Sequence, residues 1–424
     1  MSSHDEVIGP IASDAAGEAH LEGRTADAFA AVLLTFVALQ TIGTVMLPVV
    51  APFLVQRFGL SDAQVGFLTS GFALAVGLGA IPQGLASSRW GGPTLFGAAG
   101  LFLAGSLMLA VADSYGWLLA ARFVQGLGAG AGIPVGTALI IRFVTPARRH
   151  RAFGLLGAGT GVGTVATLLV LPGVAQAGGY RAACIVTAFV GVALVLGVAS
   201  QRALRVRPAH AEVPDLGALV RALGRAARNG RVLLVAVMNF TVVGTVVGIL
   251  TWTPQFLHDQ YGTAFTAAAY LSAGLGVAQI VGNPLGATGM TRWGKVAVLV
   301  VGLALTMVAL FLVPVGLGLG LTYCAIIAAV VLTGAVLPPS LAITGDVARG
   351  NEAMGAAVGV VGLLNLIGAM AAPWGFGALL DALGTASGDS GYTAGFWMLA
   401  GFALLGLLGA LAYIAVGRRS AAAG

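Results

Sequence analysis

Charge is scarce in this chain. Charged residues make up 8% of its 424 residues, whereas hydrophobic residues make up 58%. A soluble globule of this length needs far more charge on its surface, so we expect most of the surface to face lipid. The two cysteines, Cys184 and Cys324, lie in apolar runs, where thiols behave as small hydrophobic groups. No disulfide framework is indicated.

Histidines and acids are missing from the interiors of the apolar stretches. All five histidines fall in tails or loops: His4, His20, His150, His210 and His258. An enzyme working inside a membrane would need a nucleophile with a base, or a set of metal ligands, at that depth. The sequence therefore predicts no enzymatic activity, no cofactor and no metal site. Nucleic acid is not expected as a partner either, because no aromatic platform accompanies the arginines.

Twelve apolar stretches are long enough to cross a bilayer, which takes about 20 residues. The sequence therefore predicts an all-α membrane protein with twelve transmembrane helices. These lie near 28–52, 62–84, 93–112, 117–141, 151–176, 180–200, 232–257, 265–288, 295–314, 317–344, 354–380 and 392–416.

The basic residues indicate how these helices are oriented. If both termini are cytoplasmic, all but three of the 21 Lys and Arg residues fall on the inner side, the exceptions being Arg57, Arg122 and Arg181. Such an excess of positive charge marks the cytoplasmic side. We therefore expect a multi-pass protein of the plasma (inner) membrane with both ends inside. The acidic segment 1–27 reads as a disordered cytoplasmic tail.

A repeat divides the chain into two halves. Ser88-Arg89-Trp90-Gly91 returns 203 positions later as Thr291-Arg292-Trp293-Gly294. Two similar membrane halves are typical of transporters. The sequence thus predicts pseudo-symmetric six-helix bundles at 28–200 and 232–416, a cytoplasmic basic linker at 201–231 and a cytoplasmic tail at 417–424. Within the linker, Leu216, Leu219, Val220 and Leu223 share one helical face, which fits a helix on the lipid surface or a plain linker that enforces topology.

These features resemble the major facilitator superfamily of secondary transporters, over essentially residues 28–416. Its signature between helices 2 and 3 is roughly G-x-x-x-D-R-x-G-R-[RK]. Gly84, Arg89 and Gly91 match it, whereas Ser88 replaces the acid. A second signature, L-x-x-x-R-x-x-Q-G-x-G in helix 4, matches more fully, at Leu118, Arg122, Gln125, Gly126 and Gly128.

The resemblance implies that the turns after helices 2 and 8 latch the cytoplasmic side. Glycine permits the tight turn there, and prolines that remove helical hydrogen bonds can act as bends. Pro134 is expected to bend helix 4 in this way. The predicted gating residues are Arg89, Gly91, Arg292, Gly294, Pro338 and Pro339.

Arg122 is the one charge placed away from the ends of a predicted span. It lies about 8 Å inside helix 4, at 1.5 Å per residue. A charge within the membrane is costly, so a functional or gating role facing the bundle interior is expected. The alternative is a side chain that reaches outward to the headgroups.

A substrate cavity is expected near the midplane between the halves. Each polar residue at that depth could instead form a hydrogen bond that only holds the helices together. Glycines in helices 4, 5 and 11 are expected to let helix backbones approach closely. The predicted substrate-binding residues are Gln40, Thr44, Arg122, Gln125, Asn239, Thr245, Gln279 and Asn365.

The function predicted from the sequence is secondary transport of a small solute by alternating access, with an organic anion slightly favoured. Arg122 would supply the countercharge, and the lack of cavity carboxylates would remove repulsion. Two alternatives stay open: an exporter of neutral or hydrophobic compounds, and a non-transporting membrane sensor on the same scaffold. The expected partners are a small-molecule solute, the lipid bilayer and a coupling ion or counter-substrate, with the protein acting as a monomer.

Overall fold

The computed structural model describes residues 12–13, 19–20, 23–90, 93–200, 216–349, 354–386 and 390–422. Nearly all of them are helical. A pair of two-residue antiparallel strands, Ala12–Ser13 and Ala19–His20, precedes the helices, and a 3₁₀ turn spans Val313–Val315. The helices are α1 Gly23–Phe58, α2 Asp62–Trp90, α3 Pro93–Ala110, α4 Tyr115–Ala129, α5 Gly132–Phe143, α6 Pro146–Ser200, α7 Leu216–Ala227, α8 Gly230–Tyr261, α9 Phe265–Trp293, α10 Lys295–Leu312, α11 Leu319–Arg349, α12 Met354–Leu383 and α13 Gly391–Ala422.

Each of the twelve predicted spans has a helical counterpart. Ten stretches of the described chain are long and apolar enough to cross a membrane. One of them, Ala158–Gly197 in α6, is 40 residues long and contains the non-helical Gly179 (φ 69°, ψ −171°), so it holds two spans. The remaining span is formed by α4 and α5 together, because their 15 and 12 residues are each too short alone.

The fourth predicted span, 117–141, is therefore not one helix. α4 ends at Ala129 and α5 begins at Gly132. Pro134 lies in the first turn of α5, where the missing N–H costs no helical hydrogen bond. In a continuous helix its ring would clash with the carbonyl four residues earlier, at Gly130. Gly130 (φ −62°, ψ −16°) and Ala131 (φ −70°, ψ −26°) keep right-handed helical backbone angles, so the interruption is local and lies within one turn of Pro134, in line with the expectation that this proline disturbs helix 4.

Glycines of α4 and α6 bring helix backbones together, as the sequence predicted for helices 4 and 5. A Cβ atom added at Gly128 would lie 2.3 Å from the backbone nitrogen of Phe102 on α3. One added at Gly130 would lie 2.5 Å from the carbonyl oxygen of Val76 on α2. A Cβ added at Gly163 of α6 would lie 2.7 Å from the carbonyl oxygen of Ala38 on α1. No side chain fits at these crossings without displacing a helix.

The described part of the linker forms α7, a short helix with one apolar face against protein. Leu223 lies beside Gly359 of α12, because a Cβ added at Gly359 would lie 2.9 Å from Cδ2 of Leu223. Ala226 is buried in a cluster with residues of α8 and α12. The opposite face is exposed and basic at Arg221 and Arg225, and Arg228, just after the helix, is exposed as well. α7 therefore packs on the C-terminal helices through at least these two residues. Linker residues 201–215 lie outside the described residues.

The fold divides into two compact units. The first comprises Met1–Gly43, Ala75–Ala166 and Tyr180–Val213; the second comprises Thr44–Leu74, Thr167–Gly179 and Pro214–Gly424. Each unit takes residues from α1, α2 and α6. The domain boundaries at 28–200 and 232–416 rest on the sequence repeat and stay a prediction.

Candidate solute-binding site

Arg122 lies in the middle of α4 and is enclosed by protein. The helix starts at Tyr115, where the hydroxyl of Ser114 accepts a hydrogen bond from the backbone N–H of Trp117 at 3.4 Å. The Arg122 side chain is 0% exposed. The alternative that Arg122 reaches outward to the headgroups is therefore wrong, and the prediction that it faces the interior is confirmed.

Two hydrogen bonds from one nitrogen orient the guanidinium. Nη1 of Arg122 donates to the carbonyl oxygen of Gly43 on α1 at 2.7 Å and to Oε1 of Gln125 at 2.6 Å. Both acceptors are neutral, so these two bonds fix the direction of the group without neutralising it.

Gln125 links Arg122 to α3 through a residue that the sequence analysis missed. Its Nε2 donates to the hydroxyl of Ser106 at 2.9 Å, and both side chains are 0% exposed. Gly105 allows this approach, because a Cβ there would lie 2.4 Å from the backbone nitrogen of Gln125. In the sequence, the only signal for the contact between Ser106 and Gln125 was the glycine, Gly105, that precedes the serine.

Four other predicted binding residues carry a buried polar atom. Among the described residues, these atoms have no hydrogen-bond partner: Oδ1 of Asn239, Oγ1 of Thr245, Nε2 of Gln279 and Oδ1 of Asn365. A buried polar group left unsatisfied costs about 1–3 kcal/mol. Water or polar groups of a solute would remove that cost.

The alternative that these residues only hold helices together applies in part to Asn239. Its amide nitrogen donates to the Val235 carbonyl at 2.9 Å and to Oγ1 of Thr344 on α11 at 3.4 Å. The remaining predicted residues, Gln40 and Thr44, are half-buried on α1. The structure thus brings Arg122 and Gln125 into direct contact and distributes the other six over α1, α8, α9 and α12.

The predicted cytoplasmic turn of the second half has the expected backbone geometry. Gly294, between α9 and α10, has φ 85°, a conformation that glycine adopts without strain. Arg292 beside it is exposed. Lys295, the next residue, forms an ion pair with Asp346 of α11 at 2.5 Å. The equivalent Gly91 lies outside the described residues, as does the side chain of Arg89, while Pro338 and Pro339 lie within the continuous α11.

The start of α2 carries a set of contacts that the sequence analysis also missed. The carboxylate of Asp381, at the end of α12, accepts the backbone N–H groups of Asp62 and Ala63 at 2.8 and 2.9 Å. Gln255 of α8 donates to the Asp62 carboxylate at 3.0 Å. Asp381 thereby satisfies two of the four N–H groups that a helix start leaves without an internal partner. The run Ser61-Asp62-Ala63-Gln64 marks this helix start, but it does not reveal Asp381.

Comparison with known proteins agrees with this fold. The chain matches the sequence profile of the Major Facilitator Superfamily over residues 32–373. A bacterial homologue of the human lysosomal transporter Spinster superposes with a TM-score of 0.70 at 18% identity, covering 94% of this chain and 98% of that one. The matched profile covers most of the chain, and the described helices are those of a multi-pass membrane protein. This chain belongs to the major facilitator superfamily.

Two curated relatives are named for the solutes they carry. The niacin transporter NiaP of Acinetobacter baylyi is 26% identical over 278 residues, which cover 58% of this chain and 63% of NiaP. The probable sulfoacetate transporter SauU of Cupriavidus necator is 27% identical over 296 residues, covering 64% of this chain and 68% of SauU. The chain spans 58–68% of the length of the first curated relatives that it matches.

Proposed function

We propose that this chain moves a small organic anion across the membrane by alternating access, with Arg122 as the recognising cation. The observation that carries this proposal is the fully buried guanidinium, oriented by the neutral oxygens of Gly43 and Gln125. A charge at membrane depth is expensive to maintain, and its usual role is functional. A guanidinium also matches a carboxylate or sulfonate through paired N–H donors.

The curated relatives support this class of solute. NiaP and SauU are named for niacin and sulfoacetate, which are both organic acids. We further propose that Asn239, Thr245, Gln279 and Asn365 in the second unit bind polar groups of the solute or its water. Their unsatisfied buried atoms support that role.

The gating proposal concerns the paired cytoplasmic turns. Arg89 and Arg292 stand 203 positions apart at the ends of α2 and α9, and the φ of 85° at Gly294 supports a tight turn at the second position. We propose that these turns, with Pro338 and Pro339, control the cytoplasmic opening. The protein would act as a monomer in the plasma membrane with both termini cytoplasmic, and would take a coupling ion or counter-substrate.

The test is counterflow into proteoliposomes with nicotinate, sulfoacetate and benzoate, and with neutral nicotinamide for comparison. Arg122→Lys keeps the charge but loses the planar fork, so weakened anion transport is expected. Arg122→Gln should lose about tenfold or more, because hydrogen bonds to charged groups contribute about 1.5–3 kcal/mol and 1.4 kcal/mol is a factor of ten. Arg57→Gln, which removes an exposed arginine, is the matched control.

Each alternative function has its own outcome. If folded Arg122→Gln transports a neutral solute as well as the wild type does, the anion proposal fails and an exporter of neutral or hydrophobic compounds is the better account. If the wild type moves none of the four probes, the organic-anion proposal also fails. A protein that binds a solute with no flux would be a sensor.

A further inference from the structure

The hydroxyl of Ser106 has a fixed direction. It donates its single proton to the carbonyl oxygen of Phe102, one turn earlier in α3, at 2.8 Å. A hydroxyl has one donor and two acceptor lone pairs. Toward Gln125, whose amide nitrogen is 2.9 Å away, Ser106 therefore presents an acceptor.

This direction determines which way the amide of Gln125 faces. Because Ser106 accepts, Gln125 turns its NH₂ group toward α3 and its oxygen toward Arg122. The opposite orientation would place an NH₂ group against a guanidinium, which has donors only. Ser106 and Arg122 thus hold the same amide from its two ends.

We propose that Ser106 is a positioning residue for anion recognition, acting on Arg122 through Gln125. The inference rests on the proposed function, in which Arg122 is the recognising cation. The chain of hydrogen bonds runs from Phe102 through Ser106 and Gln125 to Arg122, and it joins α3 to α4. Without the hydroxyl, the amide of Gln125 gains rotational freedom and the guanidinium loses one fixed acceptor.

The chain of hydrogen bonds from Ser106 through Gln125 to Arg122, called the relay below, is possible because α3 packs closely on α4. Gly105 lies against the backbone of Gln125, so the two helices touch at the level of Ser106. Water cannot enter between side chains that are both 0% exposed unless the helices move apart. A methyl group at position 106 would therefore leave the Gln125 amide without its acceptor.

The test compares Ser106→Ala with Ser272→Ala in the counterflow assay. Ser272 of α9 is also 0% exposed, and its hydroxyl also donates to a carbonyl four residues earlier at 2.8 Å. Losing a neutral hydrogen bond in the relay should raise the KM of the transported anion about two- to tenfold, with Vmax retained. Ser106→Thr keeps a hydroxyl and should restore much of the affinity, whereas Ser272→Ala should leave KM unchanged.

A double mutant separates a relay from a local packing effect. In an Arg122→Lys background, Ser106→Ala should cost much less than it does in the wild type, because residues that act as a unit are not additive. Equal costs in both backgrounds, or an unchanged KM in Ser106→Ala, would overturn the positioning role while leaving Arg122 as the recognising cation. If the Arg122→Gln variant transports the anion as well as the wild type does, both proposals are overturned.

Discussion

Replacing Gly105 by alanine should push α3 away from the candidate site. The added Cβ would lie 2.4 Å from the backbone nitrogen of Gln125, whereas ordinary contacts begin at 3.4 Å, so the helices must separate by about 1 Å. Overpacking of this kind costs about 1–3 kcal/mol. The same shift would stretch the 2.9 Å bond between Gln125 and Ser106 beyond hydrogen-bonding distance.

Gly97 offers a matched control on the same helix. A Cβ at Gly97 meets no atom within 4 Å, so Gly97→Ala gains only the helix propensity of alanine, about 1 kcal/mol. That gain is common to both variants and cancels when they are compared. Gly105→Ala should therefore be less stable than Gly97→Ala by about 1–3 kcal/mol.

Detergent-purified variants would be compared by denaturant unfolding, and their anion KM by counterflow. Gly105→Ala should unfold first and should raise KM, whereas Gly97→Ala should match the wild type in KM. Equal stability and equal KM for the two variants would refute the close approach of α3 and α4 at this level.

Three further predictions concern topology, gating and the start of α2. Cysteines introduced at Ala209 and Ala264 should label from opposite sides of the membrane, and labelling from one side would disprove the predicted orientation. Arg89→Ala and Arg292→Ala should change the transport rate more than the folded yield; unchanged transport in both variants and in the double mutant would leave these arginines with a role in orientation only. Asp381→Asn leaves one acceptor for the two N–H groups of α2 and should lower the free energy of unfolding by about 1 kcal/mol. Asp113→Asn, which changes an exposed aspartate, should not lower it. Equal unfolding curves for the two variants would show that the contact of Asp381 with the start of α2 is not stabilising.

Hydropathy and length were sufficient to predict the twelve spans, because crossing a bilayer imposes a local requirement on each stretch of sequence. Pro134 itself predicted a disturbance of helix 4, but hydropathy alone does not show the break before this proline. Apolar residues continue across it, so hydropathy does not register the end of α4 at Ala129. The helix ends there because, in one continuous helix, the ring of Pro134 would clash with the carbonyl group of Gly130 and could donate no hydrogen bond to it.

The sequence by itself determined that Arg122 is a charge at membrane depth within a family signature, since both facts depend only on neighbouring residues. Only the tertiary structure decided what holds its guanidinium. Gly43 is 79 positions away from Arg122, and Ser106 is 19 positions away from Gln125. Asp381 likewise reaches α2 across 319 positions. Hydrogen bonds between such distant positions depend on which helix faces pack together, and hydrophobic periodicity within one helix does not specify its neighbours.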